Sequence, residues 1–509
     1  MSLFTRFVRD AGARLAASGL ATRLLRENGD PKAQAQVLER LLERFAQTDY
    51  GRVHRLEPKL GHDDFVKRVP VMTHEALAPY LVRLEHGGEN LLWPQPCEAL
   101  LGELAAPGEA QRRYPLTAAS RQAFRHAWRS ALFAGSLHKI PAVHFGRPAL
   151  AIGLTPQCLS SPGSPPADLR SLVAHCFLSH QDLASLPLPG PGDTKSPQGP
   201  AAELLLLEDP LWLATLFPDP LIGTDSGTML AQRPDWTRGL RVAVGYRQTM
   251  QGMSDQARLL LGHPVRVHEV FATEFGVVAT QTEDPNNGLR LLTDAGLYYE
   301  FVPVADYDPA HPDRLSIKAV PCGQVTQGAS YVLVVSSPAG LCRQDTDERV
   351  RCVSTHPLRI VPEGRQSRTL SVAGEQLTER DAFDAVAHCC DQHGWAIVHL
   401  HVAPLPRSAE RRAPAHEWWI ELKPGSRQTP TGPLISTMLD EQLRRQSPAY
   451  EALRRNAVLD EPVVRLVIPG VFKQWLQTNG LLDTRFCLPR CLRDRRIADA
   501  LAALARFSD

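Results

Sequence analysis

A chain of 509 residues with 43% hydrophobic and 22% charged residues is long enough for a large core and divides most naturally into two domains. Its 56 Lys and Arg against 55 Asp and Glu leave a formal charge of +1, which excludes nucleic acid or an anionic membrane surface as the partner of a strong overall field. No apolar run approaches bilayer length, so no membrane span is expected.

The first residues, MSLFTRFVRDAGARLAASGLATRLL, interleave Leu3, Phe7, Leu15 and Leu24 with four arginines. That pattern predicts an amphipathic helix docked on the body, and it also fits a transit peptide. PKAQAQVLERLLERFAQ, residues 31–47, carries apolar positions at helical spacing and ends before the turn TDYGRVH. Residues 155–200 are rich in Pro, Ser and Gly. They are expected to form an insertion in the first domain, with a mobile Pro-rich loop at about 183–200. From about Leu240 short apolar runs follow one another: LRVAVGY, VRVHEVFAT, GVVAT, LYYEFVPV, YVLVVSS, VRCVST and LRIVP. Their β-branched and aromatic residues, with Gly and Pro between, read as successive strands of a sheet or small barrel.

Beyond Gly364 and Arg365 the order becomes helix, strand AIVHLHVAP, strand EWWIELKP, one helix STMLDEQLRRQSPAYEALRR and strand VVRLVIPG, a compact α+β unit. The expected domains are therefore 1–365 and 366–509, in an overall α/β fold. The ten cysteines contain no C-x-x-C pair, which argues against a disulfide framework or zinc ribbon and fits a reducing cytosol. His388, Cys389, Cys390, His393, His399 and His401 lie close in sequence, but their spacing fits buried thiols and half-exposed imidazoles better than a metal site. GTDSGTM, around Ser226, is not the G-x-S-x-G elbow of a serine hydrolase.

TDYGRVH, FVKRVPVMTHEALAPYL and GENLLWPQP, then VFATEFG and LYYEFVPV, then YVLVVSSPAGLCR, LSVAGEQLTERD and LPRCLRDRRIADAL occur in an order and spacing that resemble one family across nearly the whole chain. This is the auxin-responsive Gretchen Hagen family of acyl acid amido synthetases, part of the adenylate-forming superfamily. The resemblance implies a large N-terminal domain, a small mobile C-terminal domain and an ATP-dependent carboxylate–amine ligase. A small carboxylic acid would attack ATP to form an acyl adenylate, and an amine or amino acid would then displace AMP. Such chemistry needs phosphate donors, Mg²⁺ and a cation near the reacting phosphorus.

By the same resemblance, Phe271 would stack on adenine, Thr273 would face the α-phosphate and Glu274 would hold Mg²⁺. Arg343 matches the family arginine as a catalytic residue, and Glu348 stands where an aspartate grips the ribose. The family's hydroxyl-rich phosphate loop falls on ELAAPGEAQRR, which retains Gly108 but has Pro107, Glu103 and Glu109 and no hydroxyl, with Arg112 and Arg113 as the compensating cations. Carboxylates beside a triphosphate repel it unless a metal bridges them. Cys487 occupies the position of a C-terminal lysine, leaving Arg485 as the substitute cation. WTRGLRVAVGYRQTMQGMSD brings Tyr246, Met250 and Met253 to the place of the family's acyl pocket, where ordinary core is the competing reading.

Two functions follow. One is a divergent cytoplasmic ligase using ATP and Mg²⁺; the alternative is a catalytically degraded member whose cleft binds a ligand or a protein partner.

Overall fold

The computed structural model describes residues 31–102, 106–109, 111–138, 140–152, 201–209, 234–246, 260–409, 411–423, 430–481 and 487–505, with short stretches inside 10–19, at 183–186 and at 257–258 and the single residues Val173, Leu211 and Leu213. Within the N-terminal segment, Asp10 is helical and its carboxylate meets the Arg147 guanidinium at 2.8 Å.

Helices α1 (Pro31–Phe45), α2 (Asp49–Val53), α3 (His62–Arg68) and α4 (His74–Glu85) open the fold. In α1, Val37, Leu38, Leu41, Leu42 and Phe45 recur at helical spacing and are all buried, which fixes the face it turns to the core. The Thr48 hydroxyl accepts from Gly51 N at 3.0 Å and starts α2, which is why TDYGRVH ends one helix and begins another. Strand β1 (Cys97–Gly102) then pairs antiparallel with β2 (Arg113–Thr117), and β2 runs directly into α5 (Ala118–Ala134). Thr117 and Ser120 form a reciprocal capping box at that junction.

Twelve strands make one sheet: β3 (Ala149–Ile152), β4 (Leu183–Leu186), β5 (Leu204–Leu207), β6 (Val242–Gly245), β7 (Arg266–Thr273), β8 (Gly276–Thr280), β9 (Leu289–Leu291), β10 (Tyr298–Pro303), β11 (Val320–Pro321), β12 (Ser330–Ser336), β13 (Gln344–Thr355) and β14 (Leu358–Arg365). Their order is β11-β10-β12-β13-β14-β9-β8-β7-β6-β5-β3-β4. From β4 to β7 neighbours run parallel; from β7 to β11 they run antiparallel. Every apolar run after Leu240 is thus a strand, but in one extended mixed sheet and not in a small barrel. Leu183–Leu186, expected to belong to the mobile Pro-rich loop, instead forms edge strand β4, because a parallel partner in β3 satisfies backbone groups that composition alone leaves open. The rest of that expected loop, 187–200, lies outside the described residues. Between β10 and β11 lies the short helix α6 (Pro312–Lys318).

After a 3-10 turn, Gln366–Arg368, come α7 (Glu379–His393), β15 (Ala396–Leu405), β16 (Ala415–Lys423), α8 (Gly432–Gln446), α9 (Pro448–Arg455), β17 (Val463–Val467), α10 (Val471–Thr478) and α11 (Arg496–Leu504). The single helix expected over 436–455 is two, since Ser447 caps Tyr450 N and Pro448 has no N–H to continue α8. One apolar cluster joins Leu205, Leu207 and Trp236 of the large sheet's face to Phe383, Val386 and Trp418, so the two units share a core. Cys389 and Cys390 sit in that core, His399 stacks on Phe472 and His401 binds Pro489 O. Among the described residues no group of three His, Cys, Asp or Glu could hold a metal, and no helix is long and apolar enough to cross a membrane.

Candidate functional site

Strand β7 is where the parallel half of the sheet gives way to the antiparallel half, and its carboxyl end is the kind of switch point beside which α/β sheets bind ligands. That end carries Phe271, Thr273 and Glu274. Glu274 and Phe275 form the two-residue tip between β7 and β8, closed by Thr273: its hydroxyl accepts from Phe275 N at 3.3 Å and donates to Gly276 O at 3.2 Å. The Thr273 hydroxyl is therefore committed to shaping the turn. Phe271 is 3% exposed inside the apolar core, so in this arrangement its ring offers no open face to a base.

Tyr114 of β2 stands against this tip, its ring 4.7 Å from Phe275 and 5.7 Å from His74 between centroids. Burial pushes its phenol far above the ordinary range; Arg112 opposes that shift, and Glu274, Asp345 and Asp347 add to it. Each of these groups thus lies within electrostatic reach of the Tyr114 phenol. Asp345 accepts from the Tyr307 hydroxyl at 2.7 Å and from Asp347 N at 3.0 Å; burial, with Asp347 beside it, pushes its carboxyl up to about 6. Burial, Arg112 and Arg113 together push the His74 imidazole down, keeping it neutral.

The loop between β1 and β2 faces this cluster and is tied down by protein groups. Ala106 is buried in the apolar core built by Trp419, Phe472, Trp475 and Ile497 of the C-terminal unit. Arg496 donates to Pro107 O at 3.2 Å, and Glu109 meets Arg368 at 3.3 Å. Gly108 adopts a left-handed φ of +83°, a backbone conformation that favours glycine, and the Arg496 guanidinium lies over it. Arg112 Nη2 bonds Asp347 Oδ2 at 2.9 Å. The carboxylate of Asp347 also accepts from Ser367 N at 2.9 Å and from the Ser367 hydroxyl.

Arg343 lies inside the protein. Its Nε and Nη2 grip both Glu300 oxygens at 2.8 Å, and the remaining N–H groups reach Val69 O, Val66 O and Ser316 O. With the side chain 0% exposed, Arg343 has its donors spent inside the protein, where they brace the antiparallel sheet. Glu348, paired in register with Arg365 across β13 and β14, has its carboxylate 3.8 Å from the Arg365 guanidinium. Arg485, Met250 and Met253 lie outside the described residues. Tyr246, at the end of β6, packs edge-on against Trp128 at 5.6 Å in the core.

The structure places Arg112 and Glu274 each within electrostatic reach of Tyr114, and leaves Gly108 across the loop against Arg496. Sequence reasoning missed Asp345, Tyr307, Ser367, Arg368 and Arg496. Arg490, in the family-like stretch LPRCLRDRRIADAL, bonds Asp209 beyond β5 at 3.3 Å, and its backbone N–H meets Glu379 at 3.0 Å. Only the density of charged residues in DTDER hinted at the acidic cluster. A divalent cation of the Mg²⁺ class is held by one or two carboxylates together with substrate phosphates, and Glu274 fits the protein's share of that set.

Three models of one family match successive parts of the chain: the GH3 family N-terminal domain over residues 27–175, its central domain over 290–361 and its C-terminal domain over 380–496. Indole-3-acetic acid-amido synthetase GH3.15 of Arabidopsis thaliana is 35% identical over 85 residues, a match that covers 16% of this chain and only 14% of that protein. In overall structure the chain is similar to the acyl acid amido synthetase AtGH3.15 in complex with 2,4-DB, with a TM-score of 0.69 at 16% identity and 96% of each chain covered. It is also similar to 2-hydroxyisobutyryl-CoA ligase in its postadenylation state, with a TM-score of 0.58 at 15% identity over 93% of this chain and 91% of that one. The fold is that of the adenylate-forming enzymes. Matched in order over more than half its length, from helix α1 to helix α11, the chain belongs to the GH3 family, the Gretchen Hagen family that its motifs resemble.

Proposed function

We propose that the protein is an ATP-dependent ligase that joins a small carboxylic acid to an amine or amino acid. A carboxylate oxygen attacks the α-phosphorus of ATP as the bond to pyrophosphate breaks; the amine nitrogen then attacks the acyl carbon, AMP departs and the nitrogen loses a proton. The observation that carries this reading is Glu274, held at the tip of the β7–β8 hairpin beside the sheet's switch point, where neighbouring Phe275 packs on Tyr114 at 4.7 Å. When bound there with the triphosphate, Mg²⁺ would neutralise phosphate charge. Glu274 supplies the metal's protein ligand and Arg112 the cation for the phosphates, once freed from Asp347. The hydroxyl of Thr273 fixes the tip so that Glu274 keeps its aim.

One observation favours a second reading, in which the cleft binds a ligand without turnover: Arg112 is already neutralised by Asp347, and Pro107 and Gly108 are covered by Arg496. Thermal melting separates the two. Mg-ATP at ~100 times its dissociation constant stabilises a folded protein by about 2.7 kcal/mol, and the ligase reading expects such a rise together with AMP release from a panel of acids and amines. A rise without AMP favours the second reading, and no rise sinks the first.

A further inference from the structure

Three donors of different kinds converge on the Asp347 carboxylate. The Arg112 guanidinium donates at 2.9 Å, Ser367 N at 2.9 Å and the Ser367 hydroxyl completes the set. A guanidinium, a backbone N–H and a hydroxyl are the groups with which proteins hold phosphate oxygens. Asp347 is only 4% exposed, yet Ser367 is exposed and Arg112 half-buried, so the donors can be approached from solvent while the acceptor is covered. Asp347 reaches them from a left-handed backbone, φ +62°, a conformation that aspartate tolerates better than most residues.

We propose that Arg112 and Ser367 form an oxyanion site whose ligand in the free protein is the chain's own Asp347 carboxylate, and that a phosphate group must displace this carboxylate to bind. The inference rests on the ligase reading for the identity of the natural ligand, a nucleotide phosphate, but not for the existence of the site. Its physical basis is charge. With Asp345 close by, a second anion cannot join Asp347 on one arginine without strong repulsion, so self-occupation and phosphate binding exclude one another. The apparent affinity for phosphate is then lowered by the fraction of molecules in which Asp347 holds the donors. Ser367 also belongs to the turn that joins the two units, and neighbouring Arg368 holds Glu109, so the self-occupied site latches the connecting turn onto the β1–β2 loop.

The test uses the full chain and inorganic phosphate as probe. Asp347→Gly removes the tethered anion, and Asp347→Asn keeps its size while removing its charge, which covers the case in which the glycine variant does not fold. Melting curves over a phosphate titration should show the variants responding at a phosphate concentration roughly tenfold or more below that needed by the wild type. Adding Arg112→Gln to either variant should abolish the gain. Equal responses in wild type and variants, or a gain that survives Arg112→Gln, would overturn the proposal. The two readings fail separately. If phosphate stabilises the variants while Mg-ATP yields no AMP from any form, the oxyanion site stands and the ligase reading falls; if the wild type releases AMP while the variants gain nothing toward phosphate, the reverse holds.

Discussion

The tip of the β7–β8 hairpin and the loop between β1 and β2 meet at Tyr114, and they are held in opposite ways. The hairpin tip is shaped from within, by two bonds of the Thr273 hydroxyl, and needs nothing from the C-terminal unit. The loop is shaped from outside: Ala106 is buried in the C-terminal core, Pro107 O accepts from Arg496, Glu109 meets Arg368 and Arg112 is held by Asp347. A feature that is locally encoded keeps its geometry when the two units move, while one built from distant partners keeps it only in the arrangement that supplies them. The end of the candidate site that carries Glu274 is therefore shaped locally, while the loop from Ala106 to Glu109 is conditional on the position of the C-terminal unit.

The largest expected effect sharpens this comparison by removing a third region from it. Glu300→Ala leaves the fully buried Arg343 without its counter-charge and should cost about 3–5 kcal/mol in denaturant unfolding. A loss within ~0.5 kcal/mol would mean that Arg343 is free to act elsewhere. Next comes the loop. Glu109→Gln with Arg496→Gln removes two ties between loop and C-terminal unit, each partly exposed, so the loss of global stability should be about 1 kcal/mol or less. Hydrogen exchange of amides 106–109 should nonetheless accelerate, while those of 271–276 stay unchanged. Matching acceleration at both places would break the distinction between the two regions.

A further expected effect is a pH dependence. Asp345 has its folded pKa raised, from 3.8 to about 6, so its ionisation is disfavoured in the fold. Such a group contributes stability that is complete below pH ~4 and lost as the pH rises through ~6, because between those values the folded state binds the extra proton. Asp345→Asn should flatten that decline in melting temperature between pH 4 and 6. Glu421, raised to about 7 by burial, should preserve the remainder of the slope, extending toward pH 7.

The strands after Leu240 were legible because they are written as apolar runs bounded by Gly and Pro; 240–246, 265–273 and 331–337 lie where those runs fall. Leu183–Leu186 was not, since an edge strand among Pro and Ser is defined by a partner in β3 and not by its own pattern. In the C-terminal unit the order of elements was readable, and the break between α8 and α9 was signalled by Ser447–Pro448, which helical periodicity on both sides concealed. Of the site, Glu274 and Arg112 are local signals in recognisable stretches. The bonds that decide Arg112's availability join it to residue 347, more than two hundred positions away, and no spacing rule reaches that far. Arg343 misled for the same reason: its motif survives, but Glu300 on another strand determines that it braces the sheet.

Formation of AMP from Mg-ATP, measured for the wild type beside Glu274→Gln over a panel of carboxylic acids and amines, tests the central claim most directly. The account predicts acid- and amine-dependent AMP from the wild type and a loss of roughly a hundredfold or more in the variant, with the fold intact by circular dichroism, as expected when a group is needed in the transition state more than in the ground state. AMP formation that is equal in the two proteins, or absent from both, would contradict it.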